Sequence, residues 1–182
     1  MAKHGRQGST DVGACPRELG HAILANALAL ASRVLTYDAD PVRRWADDRA
    51  DCSSFVQRVL LGAGVAAFDP GPELRNAWTA RAFATRDDVF VTVSAAEARP
   101  GDILVQGGFA TAPDGVTAWK GHCGIFRQRS AAHPELLQGV SVGRRGPAVN
   151  GLWGADRPCG HYPFGAGLLV RRPRQPATVA KR

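Results

Sequence analysis

The sequence predicts an α+β domain in which N-terminal helices pack on a central antiparallel β-sheet. Three observations carry that prediction. Two apolar runs with helical spacing come before position 65. Short β-branched runs separated by turn residues follow, from position 89 onward. The 21 glycines and 12 prolines gather after position 60, which suits a loop-rich second half and not a helical bundle. Helices first and strands afterwards is the α+β order, since a parallel sheet needs the two to alternate. With 182 residues, 45% of them hydrophobic and 21% charged, the chain has the length and composition of one globular domain.

Residues 1–15, with Gly5, Gly8, Ser9 and Gly13 among polar neighbours, read as a flexible leader. A helix over 16–35 follows. Pro16 suits a first helical turn, and Ile23, Leu24, Ala27, Leu28, Ala31, Val34 and Leu35 lie on one face. Its Ala-Leu-Ala run resembles a signal-peptide core, but some twenty mostly polar residues precede it, so it is read as a core helix with no secretion signal. A charged connection over 36–50 contains Tyr37 and Trp45. The second helix starts at Cys52, capped by Asp51, buries Phe55, Val56, Val59 and Leu60, and stops at Gly62-Ala63-Gly64. A short helix is expected within 73–84. Strands are expected at 89–93, 103–105, 122–127, 136–142 and 167–171, with 106–120 as a loop. The domain so outlined covers 16–172, and 173–182 reads as a basic tail. The charge run Arg171-Arg172-Pro173-Arg174 is assigned to solvent with it.

The net charge of +7 favours an anionic partner such as an acidic polymer. Basic and aromatic residues are not interleaved and no nucleic-acid-binding spacing occurs, so nucleic acid is not expected. No stretch approaches the roughly 18 apolar residues of a spanning helix, so stable membrane insertion is not expected. Cys15, Cys52, Cys123 and Cys159 form no CxxC pair, and Cys159 with His161 lacks a second ligand pair. Neither a metal nor a cofactor is expected. A Cys15–Cys159 disulfide remains open, with Cys52 free.

The chemistry concentrates in two segments. In Ala50-Asp51-Cys52-Ser53-Ser54-Phe55-Val56 an acidic residue and two serines crowd the start of a helix. A thiol there sits where the helix dipole and unpaired N–H groups favour the thiolate, the nucleophilic form. In Gly121-His122-Cys123-Gly124-Ile125-Phe126 a histidine enters an apolar strand, with Cys123 alternating to the opposite face and so into the core. A helix-start thiol and a strand histidine make a nucleophile and its general base. Trp78, Trp119 and Trp153 are read as packing residues ahead of a substrate groove.

These segments resemble the NlpC/P60 family of papain-like cysteine peptidases. Asp51-Cys52-Ser53-Ser54-Phe55-Val56 matches the family's nucleophile motif, Pro100-Gly101-Asp102-Ile103 its turn into a strand, and His122-Cys123-Gly124-Ile125-Phe126 its base motif, in the family's order. The resemblance implies a papain-like fold and hydrolysis of peptides in bacterial peptidoglycan by Cys52 and His122. It also implies a third polar residue on the next strand to orient the imidazole, a slot that Gln138 fits better than His133, which precedes Pro134. Tyr37 takes the place of the family's oxyanion tyrosine, although its usual Tyr-x-Trp-Gly-Gly context is missing. Asp51 and Ser53 are grouped with it around the oxyanion and substrate, Asp51 as a cap first. The stretch 139–153 and Phe55-Val56-Gln57 resemble type VI secretion amidase effectors, which cut the D-Glu–diaminopimelate bond. That narrower likeness implies a monomer made in the cytoplasm, acting in the periplasm or cell wall after non-Sec export, with an immunity protein as partner. An acyltransferase or deamidase on the same thiol chemistry, or an inactive wall-binding module, are the competing readings.

Overall fold

A computed structural model describes residues 17–33, 35–65, 78–111, 113–154 and 167–174. Among the described residues three α-helices, α1 (Arg17–Ala31), α2 (Cys52–Gly62) and α3 (Ala80–Thr85), accompany eight strands. Strands β1 (Thr36–Tyr37) and β2 (Arg49–Ala50) form a small parallel pair. The others are β3 (Phe90–Val93), β4 (Ile103–Thr111), β5 (Thr117–Arg129), β6 (Leu137–Gly143), β7 (Gly146–Trp153) and β8 (Leu168–Pro173). They make a six-stranded antiparallel sheet in the order β3-β8-β4-β5-β6-β7. The α+β architecture with helices on an antiparallel sheet is thus present. The leader, Cys15, Pro16, Cys159, His161 and the last eight residues lie outside the described residues.

Strand alternation sorts the apolar side chains into two layers. Ile103, Val105, Cys123, Ile125, Val140 and Val142 face the helices and pack with Ile23, Ala27, Phe55, Val56, Val59, Leu60 and Phe83. Leu104, Phe126, Leu137, Trp153 and Val170 form a smaller cluster on the other face. Trp78 joins the helix-side core against Phe83 and Phe90, with ring centroids 5.7 and 6.2 Å away. No helix among the described residues is long and apolar enough to cross a membrane.

The second helix has the predicted bounds, because its signals are local: an acidic cap, a run of apolar residues at helical spacing, and a glycine at φ +73° just beyond it. The segment 106–120 departs from expectation. Instead of a loop it is the far half of a long β4–β5 hairpin, paired from Ile103↔Ile125 to Thr111↔Thr117. Its glycines, which weaken a strand reading in sequence, are there for the Trp119 ring. A Cβ on Gly107 would sit 2.5 Å from that ring, and one on Gly121 would sit 2.4 Å from it. Strand β7 was not expected either. A two-residue turn at Arg144-Arg145, with Gly143 paired to Gly146 at φ +89°, folds it back on β6.

The turn Pro100-Gly101-Asp102 ties four elements together. Gly101 has φ +92°, and a Cβ there would lie 2.2 Å from the Gly20 carbonyl of α1, so only glycine fits. Its N–H donates to Phe126 O at 2.9 Å, and Phe126 N–H donates to Asp102 O at 2.7 Å. The buried Asp102 carboxylate accepts from Arg99 N–H at 2.7 Å and from Arg172 Nε and Nη2, both at 2.8 Å.

That ion pair corrects the reading of the basic run as solvated. Arg171 is 2% exposed and donates to Phe83 O, Thr92 Oγ1 and Asp87. Arg172 is buried on Asp102, Pro173 closes β8, and Arg174 donates to Asp87 O and Phe90 O. These arginines are internal cross-links whose carboxylate and carbonyl partners lie some 70 to 90 positions away in sequence.

Removing one member of a buried, bidentate ion pair strands the other. Asp102→Ala and Arg172→Ala should each lower stability by about 3–5 kcal/mol in urea unfolding, and the double variant by clearly less than their sum.

Candidate active site

The site starts from the helix cap. Asp51 Oδ1 accepts from Ser54 N–H at 2.6 Å and Ser54 Oγ accepts from Asp51 N–H at 3.0 Å, a complete capping box. The other carboxylate oxygen takes a 2.6 Å ion pair from Arg44, with both side chains buried. Asp51 is therefore committed to holding the helix start and does not face a substrate. Arg44 was not singled out in the sequence, since its only local signal is a place in a charged connection.

The connection 38–50 is itself cross-linked. Asp38 accepts from Asp40 N–H at 3.0 Å, Arg43 Nε at 2.9 Å and Arg49 Nη1 at 2.7 Å. The Arg43 bond, then the Asp40 N–H and Arg49, hold its carboxyl well below the usual carboxylate range. Arg58 of α2 reaches back to the carbonyls of Arg44 and Ala46 at 2.9 and 2.8 Å. Tyr37 pairs with Ala50 in the β1–β2 ladder, which brings it alongside the chain two residues before Cys52.

Cys52 is the first residue of α2 and points its sulfur at β5, where the sheet divides. Pairing of β5 with β6 runs only from Arg129↔Leu137 to Ile125↔Val140. Beyond that point β5 stays with β4, and Ser141 to Gly143 stay with β7. His122 and Cys123 lie in this fork. The Cys52 sulfur meets the Cys123 thiol, the Cys123 backbone N–H and the His122 imidazole, which together hold it well below an ordinary thiol despite its burial. The Cys123 hydrogen bond is the largest of these effects. Cys123 itself is pushed well above an ordinary thiol, first by burial and then by the charge on Cys52. It packs in the helix-side core as expected, and it also acts on the Cys52 thiol, which strand alternation alone did not reveal. Ser53 is buried with its Oγ 3.9 Å from the Cys52 sulfur and also bonds Cys123, so it belongs to the sulfur pair and not to a substrate surface.

His122 is oriented from the side away from Cys123. Its ring stacks on Trp153 with centroids 5.2 Å apart and planes 6° apart. Its Nε2 lies 3.3 Å from Ser141 Oγ, on a serine only 3% exposed. The room for this stack comes from two glycines. A Cβ on Gly124 would be 3.1 Å from the Trp153 ring, and one on Gly139 would be 2.8 Å from its nitrogen. The polar residue on the strand after the histidine is thus Ser141. Gln138 pairs opposite Gln128 and accepts from its Nε2 at 2.8 Å. That is six residues along β5 from His122, roughly 20 Å, so the expected role of Gln138 is not supported by its position. His133 is exposed in a turn, 3.6 Å from Glu135, and is no substitute.

Chemically, the arrangement supplies a thiolate, an adjacent imidazole to move a proton, and a helix start. The cap occupies the Ser54 N–H and leaves the first-turn N–H groups of Cys52 and Ser53 for an anion developing beside the sulfur. Among the described residues no group of three His, Cys, Asp or Glu side chains is placed to hold a metal ion. No known family model matches the chain, and no curated protein sequence matches it.

Alkylation of Cys52 by iodoacetamide should follow a pH profile with its midpoint below that of a free thiol. The sign follows from the depressed pKa: the thiolate persists as pH falls, so labelling at pH 6 should outpace that of a small-molecule thiol with equal access. His122→Ala should move the midpoint upward. Ser141→Ala should cost one hydrogen bond to the base, about 1–1.5 kcal/mol or roughly tenfold in turnover, while Gln138→Ala leaves turnover near wild type.

Proposed function

We propose that this chain is a papain-like thiol hydrolase of the NlpC/P60 type that cuts amide bonds in the stem peptides of bacterial peptidoglycan. The bond assigned is D-Glu–diaminopimelate, and the biological role is that of an antibacterial effector exported by a type VI system. One observation carries the reading: the Cys52 sulfur, at a capped helix start, lies against the imidazole of His122, which a neighbouring strand orients. The three motif matches in family order and the net charge of +7, suited to an anionic wall, support it further.

The residues would run the reaction in two halves. The Cys52 thiolate attacks the amide carbon, and the carbonyl electrons move to oxygen, where the first-turn N–H groups meet the charge. Collapse expels the amine, which takes its proton from His122. The Cys52 thioester remains. His122 then accepts a proton from water, the resulting hydroxide attacks the thioester, and the thiolate departs. Trp153 and Ser141 keep the imidazole from rotating out of line between the halves, and Tyr37 is the remaining candidate donor to the oxyanion.

Incubation with purified sacculi tests the reading. Mass spectrometry should show muropeptides with a new free diaminopimelate amine and a new free D-Glu carboxylate. Cys52→Ala should retain the fold and lose at least about a thousandfold in rate. Intact stem peptides after prolonged incubation would reject the assignment, and an adduct in place of the free carboxylate would reassign the chemistry to acyl transfer.

A further inference from the structure

Cys123 makes and breaks no bond in the hydrolytic cycle, yet its thiol is buried against the nucleophile. Both side chains are buried in one core cluster, Cys52 at the start of the helix and Cys123 on the strand face that packs against it, with the Ser53 hydroxyl 3.9 Å from the Cys52 sulfur; the electrostatics of each thiol is set in part by the other. Sulfurs so placed need move only a short way to form a bond of about 2 Å. Cys52 is 7% exposed and so reachable by a small oxidant, whereas Cys123 is fully buried and meets only what Cys52 becomes.

We infer that Cys52 and Cys123 form a two-cysteine oxidation site, in which peroxide converts the nucleophile to a reversible Cys52–Cys123 disulfide. The inference rests on Cys52 being a reactive thiolate and is independent of which amide it attacks. In the first step the Cys52 thiolate attacks one peroxide oxygen, the O–O bond breaks, and the departing hydroxide leaves as water after taking a proton. Cys52 is then a sulfenic acid. In the second, the Cys123 sulfur attacks the Cys52 sulfur. The S–O bond breaks, and the leaving hydroxide takes the Cys123 proton and departs as water. Two thiols have given two electrons to one peroxide, and two waters result.

Burial keeps Cys123 protonated, which slows it as an attacking group, but two features offset this. The partner is held beside it, which replaces an encounter with a fixed approach. Oxidation also removes the charge on Cys52 that helps keep the Cys123 proton in place. A nucleophilic cysteine with no resolving partner proceeds instead to sulfinic and sulfonic acids, which thiols do not reverse. Cys123 would therefore protect the enzyme as well as silence it.

The test uses the full chain with Cys15→Ser and Cys159→Ser, so that Cys52 and Cys123 are the remaining thiols, treated with about a tenfold excess of hydrogen peroxide at pH 7, enough to carry an unprotected thiol past the sulfenic acid. The expected result is loss of both titratable thiols, a non-reduced peptide map linking the segments of Cys52 and Cys123, and loss of iodoacetamide labelling at Cys52 that dithiothreitol restores in full. In the same background Cys123→Ala, and Cys123→Ser as the closer replacement, should gain the mass of a sulfinic or sulfonic acid on Cys52, with labelling that dithiothreitol no longer restores. Absence of the Cys52–Cys123 link in the parent would overturn the inference, as would labelling restored in the Cys123 variants as completely as in the parent. Failure of wall hydrolysis alone would not produce either result.

Discussion

A buried ion pair between Arg44 and Asp51 decides where α2 begins, and the geometry of the site follows from it. A carboxylate at a helix N-cap is favoured by the dipole and by the N–H it accepts, but burying it is costly unless its remaining oxygen is also satisfied. Arg44 satisfies it, and the Arg43–Asp38–Arg49 cluster stiffens the segment that carries Arg44. A chain end that would otherwise fray is set rigidly against the sheet. The first side chain past the cap is Cys52, so the stiffness is delivered to the sulfur.

What the helix start points at is a gap in a hydrogen-bonded sheet. Where β5 leaves β6, the backbone N–H of Cys123 turns to the sulfur and the side chains of consecutive residues bracket the fork. One contributes a thiol from the helix side, the other an imidazole from the far side. Continuous pairing would have kept that N–H in the ladder and closed the approach to His122. The fork is held open at moderate expense because each separated strand keeps its other neighbour, β4 for one and β7 for the other. Trp153 then fills the far face, which explains glycine at both 124 and 139: any side chain there would occupy the space of the indole.

Legibility from sequence divides along the same line. Asp51, Cys52 and the helix that follows were readable because cap, thiol and apolar periodicity fall within about a dozen residues. His122 was readable because a strand histidine beside Gly-Ile-Phe has a local pattern. Its partner was not. Choosing between Gln138 and Ser141 requires the register of β6 on β5, and a bulge between Phe126 and Gln128 shifts that register. Gln138 was preferred to His133 for lying inside the strand, and the serine three residues further on was the one in reach. The arginines at 171 and 172 were misjudged for a related reason: a run of positive charge reads as solvated until the buried carboxylate that receives it is known. The glycine-rich hairpin was read as loop because the demand of the Trp119 ring on Gly107 and Gly121 exists only once the two strands pair and set those glycines opposite each other.

The sequence by itself determined the elements whose causes are short-range: the α+β order, the capped helix with a thiol at its first position, the glycine turn before β4 and the identity of the thiol and the imidazole at the candidate site. Only the tertiary structure decided which groups surround them, namely Ser141 and Trp153 on the imidazole, Cys123 on the thiolate and Asp102 on Arg172. The physical reason is that capping and helical periodicity act within a turn or two of chain. Strand register, sheet forking and the pairing of buried charges depend instead on residues brought together from far apart, and no local pattern records the partner.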